Sequence, residues 1–270
     1  MRLNLRNVAG FPAPIRLGIF IFILLGLWLP IAGPVYWLWG TTNTVSIATI
    51  LLLYAIFVFL LRFWGQNVYQ QPQPLHYYGL RGKQELLLGL TFSLLCIFGL
   101  FILEASLGWL VWQSVTLELS KVILEGLAVG LGIGLAEELV FRGWLLDELE
   151  RDYRPQVSLW VCSTVFALLH FIKPWEVIRQ SWPQFLGLLL LGSMLVQAKR
   201  LCQGRLGLPI GLHGGLVWGY YIVNVGNLVN YSQQVPSWLT GINHNPLAGF
   251  MGLLFLVSMT LGLRRLKALF

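Results

Sequence analysis

Eight long apolar stretches follow one another along the chain and limit what it can fold into. They cover approximately residues 15–37, 44–64, 86–110, 121–146, 156–173, 182–198, 207–226 and 246–263. A run of about 18 apolar residues is long enough to cross the roughly 30 Å hydrocarbon core of a bilayer as an α-helix. Helices also satisfy their backbone hydrogen bonds internally, as lipid requires. We therefore predict an all-α polytopic membrane protein, a bundle of about eight transmembrane helices.

The low content of charged residues argues against a soluble domain. Only 11% of the 270 residues are charged and the mean hydropathy is +0.72, whereas a soluble domain carries about a quarter charged residues. The net charge of +7 agrees with attraction to anionic lipid. With no soluble basic face to bind nucleic acid, the expected partner is the lipid bilayer.

The distribution of Lys and Arg predicts an orientation. When the loops are assigned alternately to two sides, 15 of these residues fall on one side, and only Lys121, Lys173 and Arg179 fall on the other. Cytoplasmic loops retain positive charge. We therefore expect a multi-pass integral membrane protein with both termini in the cytoplasm.

A polar, basic and proline-containing stretch at residues 65–84 is typical of a loop between spans. It predicts a division into an N-terminal transmembrane hairpin with its cytoplasmic loop, residues 1–84, and a six-helix membrane domain, residues 85–270. The unusual polar residues of the apolar segments fall inside the second part.

The fourth apolar segment carries three charged residues near its end: Glu137, Glu138 and Arg142. Glu138 and Arg142 have the i, i+4 order that favours a helical ion pair, and pairing offsets part of the roughly 2.5–3.5 kcal/mol that each charge costs at mid-bilayer. Glu137 points about 100° away from Glu138, so we expect the two carboxylates not to share a partner. An unpaired carboxylate in a poorly hydrated site is a candidate general base. The structural alternative is a helix end that extends its charges to the cytoplasmic face.

Glycines precede these charges at intervals of four, at Gly126, Gly130 and Gly134. Small residues at this spacing let helices approach closely in lipid. The stripe predicts tight packing that brings neighbouring helices within reach of Glu137.

Two histidines lie inside later apolar segments, His170 in the fifth and His213 in the seventh. A single buried histidine is usually a packing residue with a satisfied hydrogen bond. Two of them, in a chain this poor in polar residues and together with Glu137, favour a shared polar site. Counting residues along the predicted spans places His170 nearer the opposite membrane face from Glu137 and His213, so this arithmetic does not predict that the three meet.

These residues together resemble the CAAX prenyl endopeptidase and bacteriocin-processing family of intramembrane proteases, also called type II CAAX or Abi proteases. The family's Glu-Glu-x-x-x-Arg motif matches residues 137–142, and its Phe-x-x-x-His motif matches Phe166 and His170. His213 occupies the position of a later family histidine. The resemblance covers roughly residues 120–226.

The resemblance implies a peptide hydrolase that cleaves a peptide or lipid-modified protein substrate in the membrane. Glu137 and His170 would activate a water molecule, His213 would polarise the carbonyl oxygen, and Glu138 with Arg142 would brace the helix. The meeting of Glu137, His170 and His213 is implied by the resemblance. No cofactor is expected on this route.

One position departs from the family pattern. Four residues after the second intramembrane histidine stands Val217 instead of Asn or Asp. Loss of a donor to a developing oxyanion typically costs about 2.7–4 kcal/mol of transition-state stabilisation. Backbone at Gly214 and Gly215, or a side chain such as Ser163 or Gln184, is a possible substitute.

Three alternatives to the metal-free protease remain open. Glu137, His170 and His213 can supply the two nitrogens and one carboxylate of a zinc site, although the chain has no His-Glu-x-x-His helix. Val217 favours a non-catalytic membrane scaffold or immunity-type protein that retains the protease fold. A proton-coupled transporter would also place Glu and His in the membrane, but no interrupted helices recur in matching halves.

Overall fold

The computed structural model describes residues 5–114 and 118–265, and almost all of its regular structure is helical. Eight α-helices of 15 residues or more lie in these ranges, and each predicted apolar segment overlaps one of them. They are α1 (Ala13–Trp39), α2 (Asn43–Asn67), α3 (Lys83–Ser106), α4 (Leu119–Glu138), α5 (Pro155–Leu169), α6 (Gln184–Leu201), α7 (Gly207–Val225) and α8 (Phe250–Arg265).

Shorter elements connect the long helices. The helical ones are Leu5–Gly10, Pro74–Tyr77, Leu139–Leu145, Leu146–Glu150, Trp175–Ser181, Ser237–Thr240, Ile242–His244 and Pro246–Ala248. Two three-residue strands, β1 (Leu110–Trp112) and β2 (Val229–Tyr231), pair antiparallel. The prediction of a helical fold is therefore confirmed, apart from this ribbon, which is too short for the sequence pattern to show.

Four helices are long and apolar enough to cross a membrane: α1, α2, α3 and a continuous helix over Leu119–Glu150 that includes α4. The pair Trp175–Ser181 and α6, bent by 73°, makes a fifth if it is one span. At 15 residues, α5 extends for only about 22 Å. A total of eight spans remains a prediction.

The described residues divide into two compact units. The N-terminal unit comprises the residues up to Gly79 together with Asp147–Tyr153, and the C-terminal unit comprises Leu80–Leu146 and the residues from Arg154 onward. The division predicted at residue 84 remains a prediction. The membership of Asp147–Tyr153 in the N-terminal unit was not anticipated from the sequence.

A buried cation organises the N-terminal unit. Arg16 of α1 donates from Nε to Oε2 of Glu148 at 2.8 Å and from Nη2 to its backbone oxygen at 2.9 Å. The hydroxyl of Tyr69 also donates to Glu148 Oε2, at 2.6 Å. Burial and the adjacent carboxylate raise the pKa of Tyr69, so its hydroxyl stays protonated and keeps this bond.

The centre of the C-terminal unit is α7, which packs between α3 and α4. A Cβ added at Gly130 would overlap the backbone oxygen of Gly214, and one at Gly134 would lie 2.9 Å from the oxygen of Ile210. On the other side, a Cβ at Gly89 would lie 2.7 Å from the backbone nitrogen of Leu212. The predicted close approach at the glycine stripe is thus confirmed, and the partner is the helix that carries His213.

Contacts inside the C-terminal unit define two ends. At one, the β1–β2 ribbon joins the segment after α3 to the segment after α7, and Asn243 Nδ2 donates to the oxygen of Gln180 at 3.3 Å. At the other, the nitrogen of Gly207 donates to the oxygen of Arg81 at 3.1 Å. We call these the ribbon end and the basic end.

Candidate active site

Glu137, His170 and His213 line one chamber of about 380 Å³ in the C-terminal unit. Glu137 lies one residue before the end of α4, His170 directly follows α5, and His213 lies in the first half of α7. Most of the remaining lining is aliphatic or aromatic. The structure therefore places the three predicted site residues around a common, largely apolar space.

The two imidazoles approach the same carboxylate oxygen. Oε2 of Glu137 lies 3.7 Å from Nε2 of His170 and 3.9 Å from Nε2 of His213. These distances exceed those of a direct hydrogen bond but suit a bridging water molecule. Glu137 Oε2 is itself buried and has no hydrogen-bond partner among the residues that the structure describes.

The Nδ1 atom of each histidine has a hydrogen-bond partner outside the Glu137 contact, and that partner shows which ring nitrogen carries the hydrogen. His170 Nδ1 lies 2.8 Å from the backbone oxygen of Phe166, and His213 Nδ1 lies 2.8 Å from Oε1 of Glu138. Both partners are acceptors, so Nδ1 of each ring carries the hydrogen and donates it. In the neutral rings, the Nε2 atoms then present lone pairs towards Glu137. Three acceptors facing one another need a proton donor between them, such as water.

Glu138 has a larger role in the site than its sequence suggests. Its Oε1 accepts from Arg142 Nη1 at 2.9 Å, as the i, i+4 spacing predicts, and also from His213 Nδ1 at 2.8 Å. All three side chains are buried. His213 bonds directly to Glu138 alone, because its other ring nitrogen, Nε2, lies 3.9 Å from Glu137 Oε2.

The aromatic residue of the Phe-x-x-x-His motif packs against most of the site. The guanidinium of Arg142 lies 4.3 Å above the ring centroid of Phe166, and the rings of His170 and His213 lie 4.7 and 6.0 Å from it. A cation over an aromatic face is stabilising, more so when desolvated. The Phe166 ring thus contacts Arg142 of the charged pair and packs beside both imidazoles.

Arg142 lies in a π-helical stretch, Leu139–Leu145. In a π turn a carbonyl accepts from the nitrogen five residues later, as the oxygen of Phe141 does from Leu146, and such turns are frequent at functional sites. Here the oxygen of Phe141 accepts from Cys162 Sγ at 3.3 Å, and the oxygen of Arg142 accepts from the ammonium of Lys199. Side chains of α5 and α6 therefore support the irregular turn beside the site.

The depth estimate for His170 is corrected by the length of the helix that carries Glu137. That helix continues to Glu150, whereas the sequence analysis ended the span near residue 146. Measured from the turn between Glu150 and the start of α5, Glu137 and His170 each lie roughly 20 Å along their helices. The two side chains consequently reach the same level.

Val217 lines the chamber and offers no hydrogen-bond donor there. Of the proposed substitutes, Gln184 lines the chamber too, while Gly214 and Gly215 pack against Gly130 and Ser93. The Ser163 hydroxyl is buried, lacks a hydrogen-bond partner within the described part of the chain, and is not among the lining residues.

The polar lining residues that the sequence analysis missed include Asn245. It lies between two short helical turns, far along the chain from every motif, so no spacing indicated it.

Zinc binding was tested on the arrangement of the donors. Within residues 5–114 and 118–265, no three or more His, Cys, Asp or Glu side chains form a group suited to a metal ion. The chemistry below is therefore derived from the side chains alone.

Comparison with protein families supports the resemblance. Residues 119–229 match the family model of Rce1-like type II CAAX prenyl endopeptidases. This match covers the part of the chain that carries Glu137, His170 and His213. No curated protein and no solved structure gives a significant match. With its long apolar helices, the chain is an integral membrane protein with a region similar to the type II CAAX prenyl endopeptidases.

Proposed function

We propose that this protein is an intramembrane endopeptidase in which Glu137 and His170 activate water. The observation that supports this most directly is the approach of two imidazole Nε2 atoms to within 4 Å of Glu137 Oε2 inside one chamber. The Glu137 carboxylate and the neutral imidazole of His170, whose Nε2 lone pair faces it, form a site that accepts protons, as general-base catalysis requires.

In the proposed reaction, water donates one hydrogen to the Glu137 carboxylate and the other to His170 Nε2. Its oxygen attacks the peptide carbonyl carbon, and Glu137 takes the proton. The carbon–nitrogen bond then breaks, and Glu137 returns this proton to the leaving amine. Glu137 thus acts first as base and then as acid, and no net proton is consumed.

His213 is placed to stabilise the oxygen of the tetrahedral intermediate. To donate from Nε2 while Nδ1 donates to Glu138, the ring must carry two protons and a positive charge. The Glu138 carboxylate, 2.8 Å from Nδ1, accepts the hydrogen on that side of the ring. Arg142 holds the carboxylate in place, so the pair positions His213 without touching substrate.

The apolar lining of the chamber supports a hydrophobic substrate. Residues of α3, α6, α7 and α8 contribute aliphatic and aromatic side chains to it. Apolar surface buried from water contributes about 25 cal/mol per Å² to binding. A membrane-embedded peptide or a lipid-modified protein segment fits this chemistry.

The test is cleavage of quenched fluorescent apolar peptides, with and without a C-terminal prenyl group, by purified protein in proteoliposomes. Glu137→Gln keeps the side-chain shape but removes the base, so cleavage should fall by about 10²–10⁴-fold. Glu125→Gln is the control because Glu125 is an exposed residue of the same helix. Equal rates for Glu137→Gln and wild type would refute the assignment. A chelator that stops cleavage would instead favour the zinc alternative.

A second candidate, a non-catalytic scaffold with the protease fold, is favoured by Val217 on the chamber wall. If that is the function, wild type should show no cleavage that depends on Glu137. Val217→Asn, which supplies the family's side chain, should then create it.

A further inference from the structure

The chamber needs a hydrogen-bond donor that the family position does not supply. Beside Glu137 and the two histidines, the carboxamide side chains that line it are those of Gln184 and Asn245. A carboxamide NH₂ is a neutral donor of the kind that stabilises oxyanions in acyl-transfer enzymes. The next step is to decide which of the two is held in position.

Asn245 is fixed by hydrogen bonds on three sides. Its Oδ1 accepts from the nitrogen of Leu247 at 2.9 Å, its own nitrogen donates to Ile242 at 3.2 Å, and its backbone oxygen accepts from Ala248 at 2.9 Å. With Oδ1 committed to the backbone, the donor Nδ2 is the end of the amide that remains for a ligand. Gln184, by contrast, has no side-chain hydrogen bond among the described residues and has one more rotatable bond.

The segment that carries Asn245 is wedged between helices. Glycines make room for it: a Cβ at Gly187 of α6 would overlap Leu247, and a Cβ at Gly252 of α8 would overlap Pro246. The preceding residues, Asn243 and His244, adopt left-handed φ angles of 55° and 60°. Two such non-glycine residues in succession are strained, and surrounding packing must maintain them.

A hydrogen bond ties this segment to the face of α7 that carries Val217. Tyr220, three residues after Val217 and also part of the lining, donates from its hydroxyl to the backbone oxygen of His244 at 3.1 Å. Asn245 is the next residue along the chain. Asn245 and Val217 both line the chamber, so a donor at residue 245 faces the same space as a donor at residue 217 would.

We propose that Nδ2 of Asn245 donates a hydrogen bond to the oxygen of the scissile carbonyl, and so replaces the donor missing at Val217. This inference rests on the proposed endopeptidase function. The bond strengthens as negative charge develops on that oxygen, so Asn245 acts with His213 on the transition state. The proton transfers through Glu137 are unchanged.

The experiment compares Asn245→Asp with Asn243→Asp in the proteoliposome cleavage assay. Aspartate at 245 retains the oxygen that accepts from Leu247, so the segment stays in place, and in its ionised form it has no hydrogen to donate. We expect kcat to fall by about 10²–10³-fold, as when an oxyanion donor is lost, with KM within threefold of wild type. Asn243, whose Nδ2 binds Gln180 outside the chamber, is the matched control and should retain the wild-type rate.

A rescue variant distinguishes loss of the hydrogen-bond donor at residue 245 from loss of a structural role of that residue. Val217→Asn added to Asn245→Asp restores a donor from the other wall, and we expect it to recover at least tenfold in kcat. A loss that Val217→Asn does not recover, accompanied by a lower Tm, would overturn the donor role and mark Asn245 as structural.

Two further outcomes distinguish this inference from the function on which it rests. Asn245→Asp within threefold of wild type, in an assay where Glu137→Gln is inactive, would overturn the inference and leave the endopeptidase function standing. A wild type with no cleavage dependent on Glu137 would overturn both.

Discussion

Among the described residues, Glu138 binds two partners and Glu137 binds none directly, and this difference separates their proposed roles. Glu138 lies between Arg142 and His213 at 2.9 and 2.8 Å, and all three are buried. Oε2 of Glu137, the proposed base, accepts no hydrogen bond from the described residues and so can accept one from water. The sequence identified Glu137, His170 and His213 because charged and titratable residues are costly in lipid. It did not reveal the bond between Glu138 and His213, which joins residues 75 positions apart.

Glu138→Gln is expected to destabilise the protein and to slow cleavage. The amide has the same shape but no charge, so Arg142 is left buried without its counter-ion. Removing one partner of a buried ion pair typically costs about 3–5 kcal/mol. Thermal unfolding in detergent should therefore show a clear drop in Tm, and the cleavage rate should fall because His213 loses the negative charge beside its Nδ1.

The same helix provides a control for this prediction. Glu125 faces Lys121 at 3.9 Å, with both side chains exposed, and such surface pairs contribute little to stability. Glu125→Gln should keep the wild-type Tm. Equal Tm values for the two variants would show that the buried network does not stabilise the fold.

The packing of α7 against α3 and α4 brings the separate elements to one site. Glycines at the α4–α7 crossing replace side chains with backbone contact, so His213 comes within hydrogen-bond distance of Glu138. Periodicity predicted this face from Gly126, Gly130 and Gly134. It could not identify α7 as the partner, because a small-residue stripe fits any helix that presents a flat surface.

Gly130→Ala tests this crossing. The new methyl group would overlap the backbone oxygen of Gly214 and lie 3.1 Å from Cβ of Trp218, so the helices must separate. Overpacking of this kind typically costs about 1–3 kcal/mol, and we expect a lower Tm together with slower cleavage as His213 moves from Glu138.

Gly132, on the same helix, is the matched control because a Cβ there meets no heavy atom within 4 Å. Gly132→Ala should retain or slightly raise the Tm, since alanine is the better helix former. If Gly130→Ala is as stable and active as Gly132→Ala, the close crossing is not needed for the site.

At the scale of the whole chain, apolar runs predicted the helices well and their lengths less well. All eight segments overlap long helices, because length and hydropathy fix where helices form in lipid. Hydropathy did not predict where the helices end or which residues pair with one another in the fold. The helix carrying Glu137 runs on to Glu150, and Arg16 pairs with Glu148 across 132 residues.

Contacts in the C-terminal unit limit how often its helices can cross a membrane. α3 and α7 both run from the basic end to the ribbon end, because Arg81 bonds to Gly207 and β1 pairs with β2. The three helices between them, α4, α5 and α6, must then make an odd number of crossings. The bond from Asn243 to Gln180 places the segment between α5 and α6 at the ribbon end, which favours three crossings over one.

Single-cysteine labelling of intact cells tests this topology, in a background where the three native cysteines are serine. Because the distribution of Lys and Arg predicts that the basic end faces the cytoplasm, an impermeant maleimide should label Gln180→Cys and Gln234→Cys from outside. Gln156→Cys, at the start of α5, should react only after lysis. All three positions are exposed. Protection of Gln180→Cys alongside labelling of Gln234→Cys would mean that α5 and α6 enter and leave by the same face. The short α5 would then be half of a re-entrant hairpin, and the total of eight spans would fall by two.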